Sequence, residues 1–140
     1  MLKIVLDTNI FLSALFFGGM LEIIIDLALA SKLKLYTSAD LSKEIFKKLH
    51  YFGADEKVLT KTRMVLDGCK FISPIIKVNI CRDPNDNFLL EIVETVQADY
   101  LITRDKDLLD LENHRWKETR IIKPEEFLPL LRKMKLLEVN

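Results

Sequence analysis

Residues 2–11 read LKIVLDTNIF, an apolar run that ends on three consecutive polar residues. A short, continuous apolar run of this kind is typical of a strand that is covered on both faces of a parallel sheet. Asp7 therefore lies where the first strand ends and the following helix begins. Either Asp7 simply ends a buried strand, or its carboxylate is held at the edge of a sheet for chemistry. The remainder of the sequence has to distinguish these two interpretations.

Strand-like and helix-like segments alternate along the chain. We predict strands at 2–6, 33–37, 74–80, 99–103 and 119–122. A first helix is predicted from about residue 10 to a break at Gly18–Gly19, and a second from that break to about residue 31. A third begins at a Thr37–Asp40 capping box and ends at about residue 52. Further helices are predicted at 55–68, after Asp83-Pro84, for a short stretch after 104, and from Pro124 to about 135. This alternation predicts an α/β fold, in which a mostly parallel five-stranded sheet lies between two layers of helices.

The composition indicates one domain, residues 1–140, since 140 residues with 49% hydrophobic content can bury a core. Lys plus Arg and Asp plus Glu each number 21, which excludes a histone-like polycation but not a nucleic-acid partner, because the distribution of charge decides that. The N-terminus has no signal-peptide pattern, and glycines and acids interrupt the longest apolar stretch, 15–30. We therefore expect a soluble, cytoplasmic protein without a membrane span.

Four acidic residues are predicted to lie at one edge of the sheet. In parallel α/β sheets, ligands bind at the carboxyl ends of the strands. Asp7 and Asp105 follow the first and fourth predicted strands, and Asp107 is nearby. Asp86 and Glu44 lie in the first two turns of helices that begin at the same edge. If the first and fourth strands are both central, these carboxylates share one rim.

Each acid also has an ordinary structural interpretation. Asp83–Asp86 reads as an N-cap, a proline at the first helical position and an acid at the third. Glu44 precedes Lys48 by four residues, the favourable spacing for a helical ion pair, and Asp105 or Asp107 could cap a short helix. These interpretations do not explain why the acids converge, since like charges in a shared site disfavour ionisation. A bound cation would explain it, and oxygen ligands favour Mg²⁺ or Mn²⁺.

Three segments together resemble a known family: LDTNIF (6–11), SADLSKEIFKKL (38–49) and DPNDNFLLEIVETVQADYLITRDKDLL (83–109). They resemble the PIN-domain family, in particular VapC-like ribonucleases, the toxin components of type II toxin–antitoxin systems. The resemblance runs from Leu2 to about Lys123-Pro124 and is strongest in 83–109. It implies the strand order 3-2-1-4-5, which places the first and fourth strands side by side.

The resemblance also implies a Mg²⁺- or Mn²⁺-dependent endoribonuclease that leaves 5′-phosphate and 3′-hydroxyl ends. The catalytic and metal-binding acids would be Asp7, Glu44, Asp86 and Asp105, and the supporting residues would be Asn9, Thr103 and Asp107. The expected partners are single-stranded or structured RNA, a cognate antitoxin protein, and a second copy of the chain in a homodimer.

Substrate phosphates require positive charge around the acidic rim. Arg82 and Arg104, which each precede an acid of the motif, are the candidates for phosphate contacts. The alternative is that each arginine forms an ion pair with its neighbouring acid. Phe16 and Phe17 belong either to the core or to a self-association surface.

Three other classes of protein share part of this sequence pattern. A receiver-like signalling domain needs an acid directly at the end of the third strand, where this chain has Cys81 and Arg82. A haloacid-dehalogenase-like phosphatase needs a second Asp at the position of Asn9. A catalytically silent PIN-like module that binds RNA or protein stays open, because an intact acidic set argues against it without excluding it.

Overall fold

The computed structural model, which describes residues 1–136, has a six-stranded sheet with helices on both faces. The strands are β1 (Lys3–Leu6), β2 (Lys34–Thr37), β3 (Lys70–Phe71), β4 (Tyr100–Ile102), β5 (Arg115–Trp116) and β6 (Thr119–Ile122). The helices are α1 (Thr8–Phe17), α2 (Met20–Leu29), α3 (Ala39–Tyr51), α4 (Glu56–Asp67), α5 (Pro84–Val96), α6 (Lys106–Leu109) and α7 (Pro124–Lys133). A 3-10 turn at Glu112–His114 precedes β5.

The strand order is β3-β2-β1-β4-β6-β5. The first five strands in this order are parallel, and β5 adds to the edge as an antiparallel hairpin partner of β6. With β6 as the fifth predicted strand, the order 3-2-1-4-5 and the mostly parallel α/β fold are confirmed. The short β5 was not predicted, because two residues are too few for a periodic pattern.

Two hydrophobic cores, one on each face of the sheet, bury the central strands. Val5 and Leu101 pack with α5 on one face, while Ile4 and Ile102 pack with α1, α2 and α7 on the other. All four side chains are inaccessible to solvent. Since β1 and β4 are covered on both faces, the sheet presents their polar residues only where the strands end.

The predicted strand at 74–80 is wrong. In the described part of the chain the third strand is β3, Lys70–Phe71, which pairs with β2, and 74–80 has no regular structure. The apolar residues of this segment do not share one buried face, since Val78 is buried but Ile75 is 90% exposed. Its short apolar run resembled a strand, but the segment packs along α5 instead of joining the sheet.

The predicted capping box of α3 is also wrong. Thr37 is the last residue of β2, and the N-cap is Ser38, whose Oγ accepts a hydrogen bond from the backbone N–H of Leu41 at 3.3 Å. The start of α5 follows the prediction, because Asp83 Oδ1 accepts from the N–H of Asn85 at 3.0 Å and Pro84 opens the helix.

A sharp turn separates α1 from α2. Gly18 and Gly19 have φ values of +64° and +65°, which L side chains rarely adopt, and the two helices are bent by 100°. Within residues 1–136, no single helix is long and apolar enough to cross a membrane. Only the bent pair α1–α2 reaches that composition.

Candidate active site

Asp7 and Asp105 lie at neighbouring strand ends. Strands β1 and β4 pair in parallel, with Leu6 opposite Ile102, and the N–H of Asp7 donates to the carbonyl of Ile102 at 3.0 Å. Asp105 follows β4 and caps α6, because its Oδ1 accepts from the N–H of Asp107 at 2.8 Å. Asp7 and Asp105 therefore lie at the same edge of the sheet, as expected for acids that follow neighbouring parallel strands.

Thr103 connects these two acids. Its Oγ1 donates to Asp7 Oδ2 at 2.6 Å and accepts from the N–H of Asp105 at 2.9 Å. Thr103 is fully buried and Asp7 is 8% exposed. Burial raises the pKa of Asp7 above its usual value, an effect that the hydrogen bond from Thr103 opposes and the charge of Asp105 reinforces. The hydroxyl thus holds Asp7 in place and favours its ionised form.

Asp105, but not Asp7, belongs to a set of three carboxylates that converge at this edge of the sheet. One oxygen each from Asp86, Asp105 and Asp107 lie within 4.8 Å of one another. Asp86 is buried in the first turn of α5, and its Oδ2 has no hydrogen-bond partner among residues 1–136. Burial, then the charges of Asp105 and Asp7, raise the pKa of Asp86 to about 7. We call Asp86, Asp105 and Asp107 the acidic cluster.

The acidic cluster fits a divalent cation. Its donors are hard carboxylate oxygens, which suit Mg²⁺ and Mn²⁺, and a buried oxygen without a donor is a costly feature that a cation would satisfy. The capping role predicted for 83–86 falls to Asp83 alone, since it is the Asp83 side chain that accepts from the helix backbone. Capping therefore does not explain why Asp86 is buried.

Glu44 lies outside the acidic cluster. Its Oε1 is 3.4 Å from Lys48 Nζ, which also donates to Asn9 Oδ1 at 3.2 Å. The helical ion pair considered for Glu44 is therefore present. The charge of Lys48 opposes the burial that raises the pKa of Asp7, so Lys48 and Asn9 connect Glu44 to the rim.

Arg82 and Arg104 do not pair with their sequence neighbours. Arg82 donates two hydrogen bonds to Asp107, at 3.0 and 2.9 Å, 25 residues away. Arg104 pairs with Glu125 in the first turn of α7, and this contact lowers the pKa of Glu125. The predicted ion pairs of Arg82 with Asp83 and of Arg104 with Asp105 are therefore wrong. Both guanidinium groups instead contact acids that are distant in the sequence and close in the fold.

Two buried polar residues of α5 were missed. Asn87 Oδ1 accepts from the N–H groups of Ile80 and Cys81 at 3.2 and 2.9 Å, and Glu91 Oε2 accepts from the N–H of Val78 at 3.0 Å. These bonds replace the sheet partners that 74–80 lacks and fix the segment leading to α5. The available signal was the spacing of Asn87 and Glu91, four residues apart on one helical face, with the apolar residues Phe88, Leu89 and Leu90 between them.

Comparisons with known proteins agree with this geometry. Residues 3–107 match the model of the PIN domain family. Uncharacterized protein MJ1680 of Methanocaldococcus jannaschii is 34% identical over 140 residues, covering 91% of this chain and 90% of that protein. The crystal structure of VapBC2 from Rickettsia felis bound to a DNA fragment from their promoter shares the fold, with a TM-score of 0.64 over 87% of this chain and 98% of that chain at 15% identity. The family match spans most of the chain, so this protein belongs to the PIN-domain family.

Proposed function

We propose that this protein is a cytoplasmic, Mg²⁺- or Mn²⁺-dependent endoribonuclease and the toxin of a toxin–antitoxin pair. PIN domains are typically nucleases, which supports a hydrolase of phosphodiester bonds. The observation that carries the proposal is the acidic cluster, in which the buried Oδ2 of Asp86 has no donor within residues 1–136.

The residues of the acidic cluster and those around it have different proposed roles. A divalent ion bound there would neutralise the carboxylates and lower the pKa of a water molecule. The ion would lie among Asp86, Asp105 and Asp107, and we propose that Asp7, which Thr103 connects to Asp105, contributes a further carboxylate. Thr103 orients Asp7 through its 2.6 Å hydrogen bond. The expected products carry 5′-phosphate and 3′-hydroxyl ends.

We propose that Glu44 and Asn9, which share Lys48 as a partner, support Asp7. The ion pair with Lys48 keeps Glu44 out of the convergent set, so we assign it contact through water or positioning of the nucleophile. Arg82 and Arg104 stay candidates for phosphate contacts. Each guanidinium contacts one carboxylate at the surface. Because a guanidinium has five N–H donors, each arginine has further donors with which to bind a phosphate.

Cleavage of RNA by metal-stripped protein tests this proposal. End-labelled single-stranded RNA would be incubated with Mg²⁺, Mn²⁺ or chelator, using wild type, Asp7→Asn and Asp105→Asn. Asp67→Asn, an exposed acid at the end of α4, is the matched control. We expect metal-dependent cleavage by wild type and the control only. Retained cleavage in both rim variants would overturn the site. A folded wild type without cleavage or metal binding would favour a binding module.

An exposed aromatic surface supports the proposed antitoxin partner. Phe17, Tyr51 and Phe52 are 86%, 84% and 62% exposed, and Phe16 stacks edge-on with Phe52. Monomeric proteins rarely expose such clusters without a partner. The Rickettsia felis structure, whose fold this chain shares, is of VapBC2 bound to promoter DNA.

Co-purification with the product of an adjacent small open reading frame tests the antitoxin. We expect capture by wild type and loss with Phe17→Ser and Tyr51→Ser, whereas Met64→Ser, an exposed apolar residue of α4, should retain it. Capture that survives the aromatic changes would contradict the assignment of this surface. We also propose that the protein forms a homodimer. Light scattering tests this by measuring the molar mass in solution.

A further inference from the structure

A polar cavity of about 780 Å³ lies between the α6–β5 connection, β6 and the first turn of α7. We call it the basic pocket. Its basic side chains are those of Arg104, Lys106, Arg115, Arg120 and Lys123. Only two carboxylates, those of Asp110 and Glu126, line the same cavity. The chain as a whole has no net charge, so this concentration of cations is local.

Four of these five cations form no ion pair within the part of the chain that the structure describes. Arg104 is engaged by Glu125. Among residues 1–136, no carboxylate oxygen lies within 4.0 Å of a charged nitrogen of the other four, which are Lys106, Arg115, Arg120 and Lys123. Within residues 1–136, the pocket therefore carries an excess of positive charge, with five cationic side chains against the two carboxylates of Asp110 and Glu126.

The position of two arginines points to an anion. Arg115 and Arg120 lie directly opposite each other in the antiparallel β5–β6 pair, so their side chains share one face. Like charges directly opposite on neighbouring strands are destabilising. Asp99 and Glu118 line a cavity together with these two arginines, but within residues 1–136 neither acid forms an ion pair with them. An anion between the two arginines would convert their repulsion into binding.

The basic pocket and the acidic cluster share the β4–α6 connection. Arg104 and Lys106, which line the pocket, are the immediate neighbours of Asp105, which belongs to the cluster. The buried Ile121 and Ile122 hold the floor of the pocket in the sheet. A polyanionic chain with one phosphate at the cluster would therefore have further phosphates beside the pocket.

We propose that the basic pocket is a second phosphate subsite, which binds the backbone of the RNA substrate beyond the scissile bond. This inference rests on the proposed function, since it assigns the substrate of the same site. Contacts from Lys and Arg to phosphates position a strand without reading its sequence. The pocket should therefore determine affinity and salt dependence, and leave the chemistry at the acidic cluster unchanged.

Binding measured in chelator separates this proposal from catalysis. Fluorescence anisotropy of a labelled single-stranded 20-mer RNA would be recorded over a series of NaCl concentrations. For Arg115→Gln/Arg120→Gln we expect weaker binding and a plot of log affinity against log salt that is less steep by about 1.4, or about 0.7 for each lost phosphate contact. Both residues are exposed, so the fold should be retained, and thermal unfolding checks this.

The control is Lys57→Gln/Arg63→Gln, which removes the same charge from exposed positions on α4, in the segment that leads to β3 at the opposite edge of the sheet. It should bind as wild type does. A reduced slope in the pocket variant alone supports the subsite, whether or not the wild type cleaves RNA. An equal slope in both variants, or no RNA binding by wild type, overturns it even if cleavage occurs.

Discussion

The hydroxyl of Thr103 donates a 2.6 Å hydrogen bond to Oδ2 of Asp7, joining two residues that are 96 positions apart in the chain. The same oxygen accepts from the N–H of Asp105 at 2.9 Å. One fully buried hydroxyl thus determines the position of the acid that follows β1 relative to the acid that follows β4. Thr103 is a positioning residue for the candidate active site.

Replacing Thr103 by Val should lower both stability and cleavage. Valine has nearly the same shape but cannot donate, so Asp7 loses its donor and the N–H of Asp105 loses its acceptor. Because a hydrogen bond to a charged group contributes about 1.5–3 kcal/mol, we expect a loss of about 2 kcal/mol in the free energy of unfolding. Urea unfolding measures it, and cleavage of RNA should fall with it.

Thr103→Ser is the control for that change. Serine keeps the hydroxyl and removes one buried methyl group, which costs about 1 kcal/mol. We expect Thr103→Ser to retain cleavage near the wild-type rate. Equal loss of cleavage in both variants would show that packing, rather than the hydrogen bond, determines the position of Asp7.

Asp86→Asn should stabilise the metal-free protein at pH 8. The pKa of Asp86 is raised from 3.8 to about 7, so its charge in the folded state is unfavourable above that pH. Removing an unfavourable charge from an active site commonly raises the free energy of unfolding, here by about 1–2 kcal/mol. The measurement is urea unfolding in chelator. A destabilised variant at pH 8 would contradict the electrostatic account.

The pH dependence of stability follows from the same raised pKa. The folded protein binds the proton of Asp86 more tightly than the unfolded chain does, so stability from this group is lost as the pH rises from 3.8 through about 7. Wild type in chelator should therefore lose stability relative to Asp86→Asn across this range. Parallel pH profiles for the two proteins would show that Asp86 titrates normally.

Asn87→Ala should release the segment before α5. The side-chain oxygen of Asn87 accepts from the N–H groups of Ile80 and Cys81, which would both become unsatisfied. We expect a loss of about 1–3 kcal/mol in the free energy of unfolding and faster hydrogen exchange at these two amides. Glu91→Gln, which retains an acceptor for Val78, should leave exchange at Ile80 unchanged. Unaltered exchange in Asn87→Ala would mean that other contacts hold the segment.

Arg82→Gln should tighten metal binding. Arg82 donates two hydrogen bonds to the carboxylate of Asp107, one member of the acidic cluster. Its removal raises the negative potential of the cluster, and calorimetric titration with Mn²⁺ should give an affinity several-fold higher. Stability should change by less than about 1 kcal/mol, because the pair is exposed. Arg104→Gln, whose partner Glu125 lies outside the cluster, should have a smaller effect. Equal affinities in wild type and Arg82→Gln would contradict this competition.

Much of the fold was predictable because its signals are local. The apolar run before Asp7 predicted β1, the Asp83-Pro84 pair predicted the start of α5, and Gly18–Gly19 predicted the break between α1 and α2. The strand order, by contrast, came from a family resemblance and not from periodicity. The segment 74–80 was assigned wrongly because its backbone partners are side chains of α5, which a pattern of apolar residues does not reveal.

The sequence by itself determined which residues can do chemistry here, and where strands and helices begin, because residue type and short-range periodicity are local properties. Only the tertiary structure decided which of those residues meet. Asp107 joined Asp86 and Asp105, while Glu44 was held by Lys48. Such pairings depend on parallel strands that are far apart in the chain, and on side chains that reach across the edge of the sheet.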